Sequence, residues 1–404
     1  MKILLPDYVK TVIFAIESAG FEAYAVGGAV RDLLLGRTPC DYDVASSAPP
    51  EEIHRVFPHV ADTGLAFGTV TVVLEGHALE VTRYRTESGY GDARHPDEVA
   101  PARDITEDLS RRDFTVNAMA CHPRRGLLDP FGGREDLERR CIRAVGDPAV
   151  RFREDALRIL RAFRFCSQLD FSLEPATREA ALSLCPALAR VSAERVASEV
   201  EKTLMGRRPE QLSELLAAGG LLPFGLPQAK EKLSSFSLLP EDITIRFAAL
   251  CFACGVPAEE ACRILKRSKE RRRSAEALLA SWQAPLPRSR GQIKRLLSPL
   301  RPELWAPSLL ARGVLTGEDT APAAALAEDI LEKKEPYRLC DLAVSGDDLK
   351  EHGVSGRKTG CVLEALLCRV TDDPSLNRRE TLLGLLPGIR EALGAPPAGR
   401  NDPD

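Results

Sequence analysis

The sequence predicts an α+β head followed by a long all-α body, and three observations carry that prediction. Up to Gly133, helical periodicity alternates with short runs rich in Val and Thr. A Gly27-Gly28 pair set between a strand and a helix is followed closely by Asp41-Tyr42-Asp43. From about residue 134 strand signals almost vanish, and Ala/Leu/Arg/Glu segments at helical period take over. Breaks fall near Pro175, Pro186, Pro209, Pro223, Pro240, Pro257, Pro285 and Pro307.

Taken in order, residues 7–19 read as an amphipathic helix, Gly20 as a turn and 22–26 as a strand. The glycine pair then opens a helix through Leu35, stopped by Gly36 and Pro39. Segments 67–74 and 77–84, separated by Glu75-Gly76, read as a tight β-hairpin. Residues 114–121 read as one further strand, and 128–133 as the loop that closes the mixed region. No fixed-period repeat is present, and only 395–404 carry the composition of a disordered tail.

A chain of 404 residues is too long for one core of ordinary size and is expected to hold several domains. A net charge of −4 argues against a uniformly basic nucleic-acid binder, but leaves the basic stretches 266–273 and 288–295 as candidate contact surfaces. The eleven cysteines are odd in number, scattered and mostly set in apolar helical text, which favours reduced thiols over a disulfide framework. Cys251 and Cys254 form a CxxC with no second thiol or histidine pair at ligand spacing, so burial is expected rather than zinc or redox chemistry. Residues 1–6 show no cleavage pattern and no stretch approaches a membrane span; the expected location is the cytoplasm.

In an extended strand side chains alternate faces, so Asp41 and Asp43 point the same way and can share hard divalent cations. Glu80, on the face of its strand shared with Thr82 and Tyr84, offers a third carboxylate that completes a two-metal site or orients an attacking hydroxyl. Gly27 and Gly28 lack the Cβ atoms that would keep an anion from the backbone, and Arg31, one turn into the helix, adds a charge-assisted bond to a phosphate. In Arg111-Arg112-Asp113-Phe114-Thr115-Val116-Asn117, the guanidiniums suit phosphate oxygens while Asp113 and Asn117 suit ribose hydroxyls or a main-chain turn. Salt bridges at a strand entrance would explain the same residues.

Residues 151–165 place Asp155, Arg158, Arg161 and Arg164 at successive steps of three, which on a helix forms one slanting ridge. Such a ridge is costly to bury unless it meets a polar ligand. Asp155 can accept from an exocyclic amine and Arg158 can donate to a ring nitrogen or carbonyl, so together they can read the Watson–Crick edge of a base. The alternative is a charged helix face laced with ion pairs.

Together these motifs closely resemble the class II nucleotidyltransferases with a polymerase-β-like head, specifically the bacterial tRNA nucleotidyltransferases, or CCA-adding enzymes. The resembling residues are Gly27-Gly28-x-x-Arg31-Asp32, Asp41-Tyr42-Asp43, Glu80-Val81-Thr82, Arg111-Arg112-Asp113-x-x-x-Asn117 and Glu154-Asp155-x-x-Arg158. Arg190-Val191-Ser192-x-Glu194-Arg195-x-x-x-Glu199 resembles the family's helix-stabilising element, and Asp341 through Gly360 its C-terminal segment. The resemblance implies a head at 1–139, a nucleotide-selecting neck at 140–206, an RNA-binding body at 207–300 and a tRNA-binding tail at 301–404. It further implies that Asp41 and Asp43 hold two Mg²⁺ ions and that Gly28, Arg31 and Arg112 bind the phosphates and sugar. Asp155 and Arg158 would select CTP or ATP without a nucleic-acid template, and Arg161 and Arg164 would complete the nucleotide pocket. tRNA would be gripped at its elbow by shape. Two positions depart from the family's habit: Ala45-Ser46-Ser47 stands where threonine is frequent, and Cys40 where a basic residue is.

Residues 86–98, with Gly89, Gly91, Asp92, Arg94, His95 and Pro96, resemble the intact loop with which CCA-adding enzymes switch from CTP to ATP. That loop is shortened in CC-adding relatives, so full CCA addition is the favoured activity. Addition of CC or A alone and poly(A) synthesis are the alternatives within the family; the glycine-bearing tail segment favours tRNA over polyadenylation. A non-catalytic RNA-binding protein on the same scaffold is the alternative of a different class, and the full set of metal and phosphate residues argues against it.

Overall fold

The computed structural model describes residues 3–88, 98–229 and 233–394. The chain divides into two compact units, Met1–Ser237 with Ala253–Val256 and Glu260–Arg267, and Leu238–Phe252 with Pro257–Glu259 and Ser268–Asp404.

The first unit is built on β1 (Ala23–Val26), β2 (Asp43–Ser46), β3 (Val60–Gly64), β4 (Thr69–Leu74), β5 (His77–Arg83), β6 (Arg85–Ser88), β7 (Glu98–Pro101), β8 (Ala120–His122) and β9 (Gly126–Leu128). Seven of these make a mixed sheet in the order β3-β4-β5-β2-β1-β8-β9, and β6 and β7 pair separately. The β2–β5 pairing is parallel and sets Asp43 opposite Glu80; β1 runs antiparallel to β2 and sets Val26 opposite Asp43. The expected hairpin forms as β4–β5, with Glu75 (φ 52°) and Gly76 (φ 79°) both left-handed, as a two-residue turn between twisted strands requires.

Strand alternation decides which face is covered. Val70, Val72, Leu79 and Val81 are buried, while Val73 and Glu80 on the opposite face are exposed and Thr71 is half-buried. Two helices buttress the sheet. α1 (Asp7–Ser18) buries Val9, Val12, Ile13 and Ile16 and packs against β1, and α3 (Pro50–Val56) packs against β4. Between them in sequence, α2 (Gly28–Leu34) follows β1 at once. Over β1 and β8, Tyr24, Val26, Ala45 and Ala120 share a core with Ile105 and Leu109 of α4 (Ile105–Ser110).

Residues 114–121 do not form one strand. Thr115–Asn117 make a single 3₁₀ turn, and only β8 extends. The Asp113 carboxylate accepts from the Phe114 amide at 2.8 Å and from Asn117 Nδ2 at 3.1 Å, a local alternative to ladder pairing. The turn is also pressed by α5 (Gly133–Glu138): a Cβ at Gly133 would lie 2.2 Å from the Thr115 carbonyl oxygen.

Beyond residue 134 only two-residue strands remain, β10 (Cys141–Ile142) and β11 (Ser172–Leu173), paired in parallel. Helices dominate thereafter: α6 (Pro148–Glu154), α7 (Leu157–Leu169), α8 (Pro175–Leu184) and α9 (Ala193–Leu204), with α7 packed along α9. The second unit is helical, and Leu349, Val362, Leu366, Val370 and Leu382 form a core in its C-terminal part. Cys251 and Cys254 are buried in the helix Ile243–Cys254 and form no disulfide. Among the described residues no helix is long and apolar enough to cross a membrane. Most of the expected switching loop, 89–97, and the tail 395–404 lie outside the described residues.

Candidate active site

Asp41 lies just before β2 and Asp43 at its first position; both reach solvent at a cleft, Asp43 with its carboxyl crowded by protein, while Tyr42 and Val44 between and after them are buried. The alternation that a strand imposes thus sets the two carboxylates on one side. Asp43 is pushed up to about 6, first by burial and then by the charges of Asp41 and Glu80, with Arg112 opposing. A carboxyl raised by burial and then by two acidic neighbours gains from a positive charge beside it, which a divalent cation would supply. No group of three metal-ligating side chains converges among the described residues. Two carboxylates facing one cleft suit Mg²⁺, which is commonly held by one or two carboxylates with phosphates and water as its other ligands. Glu80 reaches Asp43 through the β2–β5 register and acts on it through charge; it does not line the cleft described next.

That cleft, about 860 Å³, opens beside the aspartates and is walled by Gly27, Gly28, Arg31, Arg112 and one side of α7 from Leu157 to Gln168. Gly27 sits at φ 72°, ψ −133°, a conformation open to glycine, and a Cβ there would meet Arg112 Nη1 at 2.9 Å. Arg112 is held by Asp108, Oδ2 at 3.4 Å, yet its buried Nε has no hydrogen-bond acceptor. Burial pulls this guanidinium's proton affinity down, with Asp108 opposing. A buried cation with an unused donor beside two glycines is suited to a phosphate oxygen.

Arg31 is fixed by Asp32 (2.9 Å) and by donating to Asn117 Oδ1 (2.7 Å). Asn117 in turn donates to Asp113, whose Oδ2 accepts from Arg161 Nε at 2.7 Å. Burial alone would raise Asp113, but Arg161 and Asn117 hold it at about 2. The Phe165 ring lies beneath three guanidiniums, those of Arg31 (5.3 Å), Arg161 (5.4 Å) and Arg164 (4.2 Å).

The ridge expected from Asp155 to Arg164 is interrupted. α6 ends at Glu154, Asp155 is extended (φ −138°, ψ 106°), and α7 starts at Leu157, whose amide donates to Asp155 Oδ1 at 3.0 Å. Asp155 therefore caps the second helix from the break rather than riding on it, and its Oδ2 accepts from Arg195 Nη2 at 2.9 Å. Arg158 donates to Glu154 (2.5 Å) and to the Arg111 carbonyl (3.1 Å), Arg161 pairs with Asp113 and Arg164 with Glu199 at 3.1 Å. All four still line the cleft. The carboxylates that neutralise them come from other elements, and for this reason the sequence ridge looked costlier than it is.

Gly28, Arg31, Asp41, Asp43, Arg112, Asp155, Arg158, Arg161 and Arg164 are thus brought to one cleft, and Glu80 to its border. Phe165 and Gln168 also line it and were not foreseen, although Phe165 lies one turn after Arg161, a spacing at which side chains meet. Arg195 was picked out only within the Arg190–Glu199 motif, and its contact with Asp155, 40 residues away, was not foreseen.

A mixed-sheet head with paired aspartates and a guanidinium-lined cleft defines a nucleotidyltransferase. Residues 23–143 match the family model of the poly A polymerase head domain, and 170–233 match that of the probable RNA and SrmB-binding site of polymerase A. The chain is 50% identical over 221 residues to a CCA-adding enzyme of Geobacillus thermodenitrificans, covering 55% of this chain and 54% of that one. It is 39% identical over 292 residues to a CCA-adding enzyme of Limosilactobacillus reuteri, covering 72% of each. The chain thus spans only about half the length of the first of these relatives. The crystal structure of Bacillus stearothermophilus CCA-adding enzyme in complex with CTP superposes with a TM-score of 0.81 at 33% identity, over 96% of this chain and 99% of that one. The chain belongs to the family of CCA-adding enzymes.

Proposed function

We propose that this protein adds C, C and A stepwise to the 3′ end of tRNA from CTP and ATP, with Mg²⁺ and without a nucleic-acid template. The observation that carries the reading is the cleft in which Asp41 and Asp43 face Arg112 and Gly27 on one side and the Asp155/Arg158 pair on the other. The 3′ oxygen of the tRNA attacks the α-phosphorus of the nucleotide, the bond to the β-phosphate oxygen breaks, and pyrophosphate leaves. Asp41 and Asp43 would hold Mg²⁺, which when bound neutralises the triphosphate and lowers the pKa of the incoming hydroxyl. Glu80 adds to the negative field at Asp43. Gly28, Arg31 and Arg112 take the phosphates and sugar. Asp155 and Arg158 read the base, with Arg195 fixing the Asp155 carboxylate and Arg161, Arg164 and Phe165 shaping the wall.

The division into head (1–139), neck (140–206), body (207–300) and tail (301–404) goes with this reading, as does a cytoplasmic place of work. The test is incubation with tRNA lacking its last three nucleotides, given CTP, ATP and both together. CTP alone should extend by two, and the pair by three. Long A tails with ATP alone would overturn the reading in favour of polyadenylation.

A further inference from the structure

The guanidiniums along the α7 wall each meet a carboxylate of their own: Arg158 that of Glu154, Arg161 that of Asp113, Arg164 that of Glu199 and Arg195 that of Asp155. Lys202, which also lines the cleft, does not. Its ammonium stands 3.6 Å from Glu199 Oε1, beyond hydrogen-bond reach, and that carboxylate already has Arg164 Nη1 at 3.2 and 3.1 Å from its two oxygens. One carboxylate thus faces two cations. Arg164 is buried, whereas Lys202, one turn after Glu199 on α9, has its side chain 51% exposed. The surplus charge is therefore carried on a flexible stem beside the cleft.

The place of that charge along the cleft follows from the contacts of α7. From its start the helix meets the Arg111 carbonyl through Arg158, then the Asp113 carboxylate through Arg161, then the Arg31 guanidinium, 5.3 Å from the Phe165 ring. Gln168 lines the cleft nearly one turn further on, beside Ser167, whose Oγ donates to the Thr203 carbonyl at 2.7 Å. Lys202, next to Thr203 and close to Glu199, belongs to this Arg164–Gln168 end, roughly 9–15 Å along the helix axis from Arg158. On the nucleotidyl-transfer reading the base lies against Asp155 and Arg158 and the α-phosphate beside Asp43. The phosphates beyond it lie at Gly28 and Arg31, whose Nη2 is 3.6 Å from where a Gly28 Cβ would stand. A triphosphate laid in that direction points its last phosphate toward Lys202. In-line displacement brings the acceptor oxygen from the side opposite the leaving pyrophosphate, so this end of the cleft is the leaving side.

We infer that Lys202 binds the terminal phosphate of the nucleotide and the pyrophosphate that leaves, its ammonium donating to a phosphate oxygen once it turns from Glu199. The inference rests on the nucleotidyl-transfer reading and adds a phosphate contact from the helical wall to those of the head. Lys202→Met keeps an apolar stem and removes the charge. Measured by calorimetry with Mg²⁺ present, it should weaken CTP binding about fivefold, the upper end for a half-exposed ion pair, and weaken pyrophosphate binding alike. The dissociation constant for CMP, which has no terminal phosphate, should stay at the wild-type value, and Lys202→Arg should restore CTP affinity. Hydrogen exchange of α7 and α9 should match wild type; faster exchange would assign the loss to the wall and overturn the inference. Unchanged CTP affinity, or an equal loss for CMP, overturns it as well. So does a raised KM for tRNA lacking CCA with CTP affinity intact, which would put the acceptor's backbone at Lys202. A wild-type protein that transfers no nucleotide overturns the underlying reading instead. In that event pyrophosphate binding decides Lys202 by itself, because weaker binding by Lys202→Met than by wild type supports the contact and equal binding refutes it.

Discussion

Removing the negative charge of Glu199 should loosen the wall of the cleft without touching the reacting atoms. Glu199 and Arg164 approach to 3.1 Å with side chains only 6% and 10% exposed. Arg164 is already pulled down to about 10, by burial first and by Arg161 second, while Glu199 is the leading group holding its charge in place. Breaking one partner of a buried pair costs about 3–5 kcal/mol, because the other charge is left in a poor solvent. Glu199→Gln keeps the shape and one acceptor, so the low end, about 3 kcal/mol, is expected. Lys202, 3.6 Å from Glu199 and half-exposed, can turn to water and adds little. Both tryptophans, Trp282 and Trp305, lie in the second unit, so indole fluorescence is a poor probe of this change. Hydrogen exchange of peptides from α7 and α9 reads it directly, and local opening should rise on the order of 100-fold. The double variant Arg164→Met/Glu199→Leu should regain most of the protection, since an apolar pair replaces a buried ionic one at little cost. Protection unchanged in Glu199→Gln, or a double variant no better than the single, would refute the argument.

Asp41→Ala should leave tRNA affinity nearly intact while abolishing pyrophosphate release; retained turnover would place the metal elsewhere. Asp155→Ala should widen the choice among CTP, ATP, UTP and GTP more than it weakens tRNA binding, and primer extension with each nucleotide alone measures this; unchanged selectivity would count against base reading by Asp155. Gly27→Ala must accept a backbone conformation open to glycine, a strain of about 1–3 kcal/mol, and must move Arg112 Nη1, 2.9 Å from the new methyl. Weaker CTP binding by calorimetry is the expected result, and unaltered affinity would show that Arg112 is not held there for phosphate. Asp113, depressed to about 2 by Arg161 and Asn117 against burial, contributes stability that is complete above the ordinary carboxyl value and is lost as pH falls from about 4 towards 2. That loss is about 2 kcal/mol, read as a drop in urea midpoint of the first unit, and Asp113→Asn should flatten it.

Local signals were enough for the hairpin at Glu75-Gly76, the glycine turn before α2 and the common side of Asp41 and Asp43, because each depends on residues adjacent in sequence. Segment 114–121 misled because its apolar residues read as a strand, whereas the Asp113 carboxylate captures the Phe114 amide and the Asn117 amide group and bends the chain first. The one-helix reading of 151–165 failed for a related reason. Asp155 followed by Ala156-Leu157 is a cap at the start of a helix, a signal overridden by the regular spacing of the arginines.

What periodicity had no means of supplying is the identity of the counter-charges. Arg161 finds Asp113 from 48 residues upstream, Arg164 finds Glu199 from 35 downstream, and Asp155 finds Arg195 from 40 downstream. These pairings change what the arginine row means. Read alone, three guanidiniums on one helix ask for an anion to pay for their burial. With Asp113 and Glu199 in place, Arg161 and Arg164 are already compensated and serve to hold a wall, together with the Phe165 ring they flank. Arg112 Nε, on the aspartate side of the cleft, is left without an acceptor, and so are Arg164 Nε and Arg195 Nη1 on the α7 side. On the proposed reading it is Arg112, beside Asp41 and Asp43, that meets the phosphates where charge develops during transfer. Asp155 and Arg158, proposed to read the base, are held by Arg195 and by Glu154 with the Arg111 carbonyl. On the proposed reading, CTP would give way to ATP against one wall while the phosphates keep a single position, which is what stepwise addition at one pair of carboxylates requires.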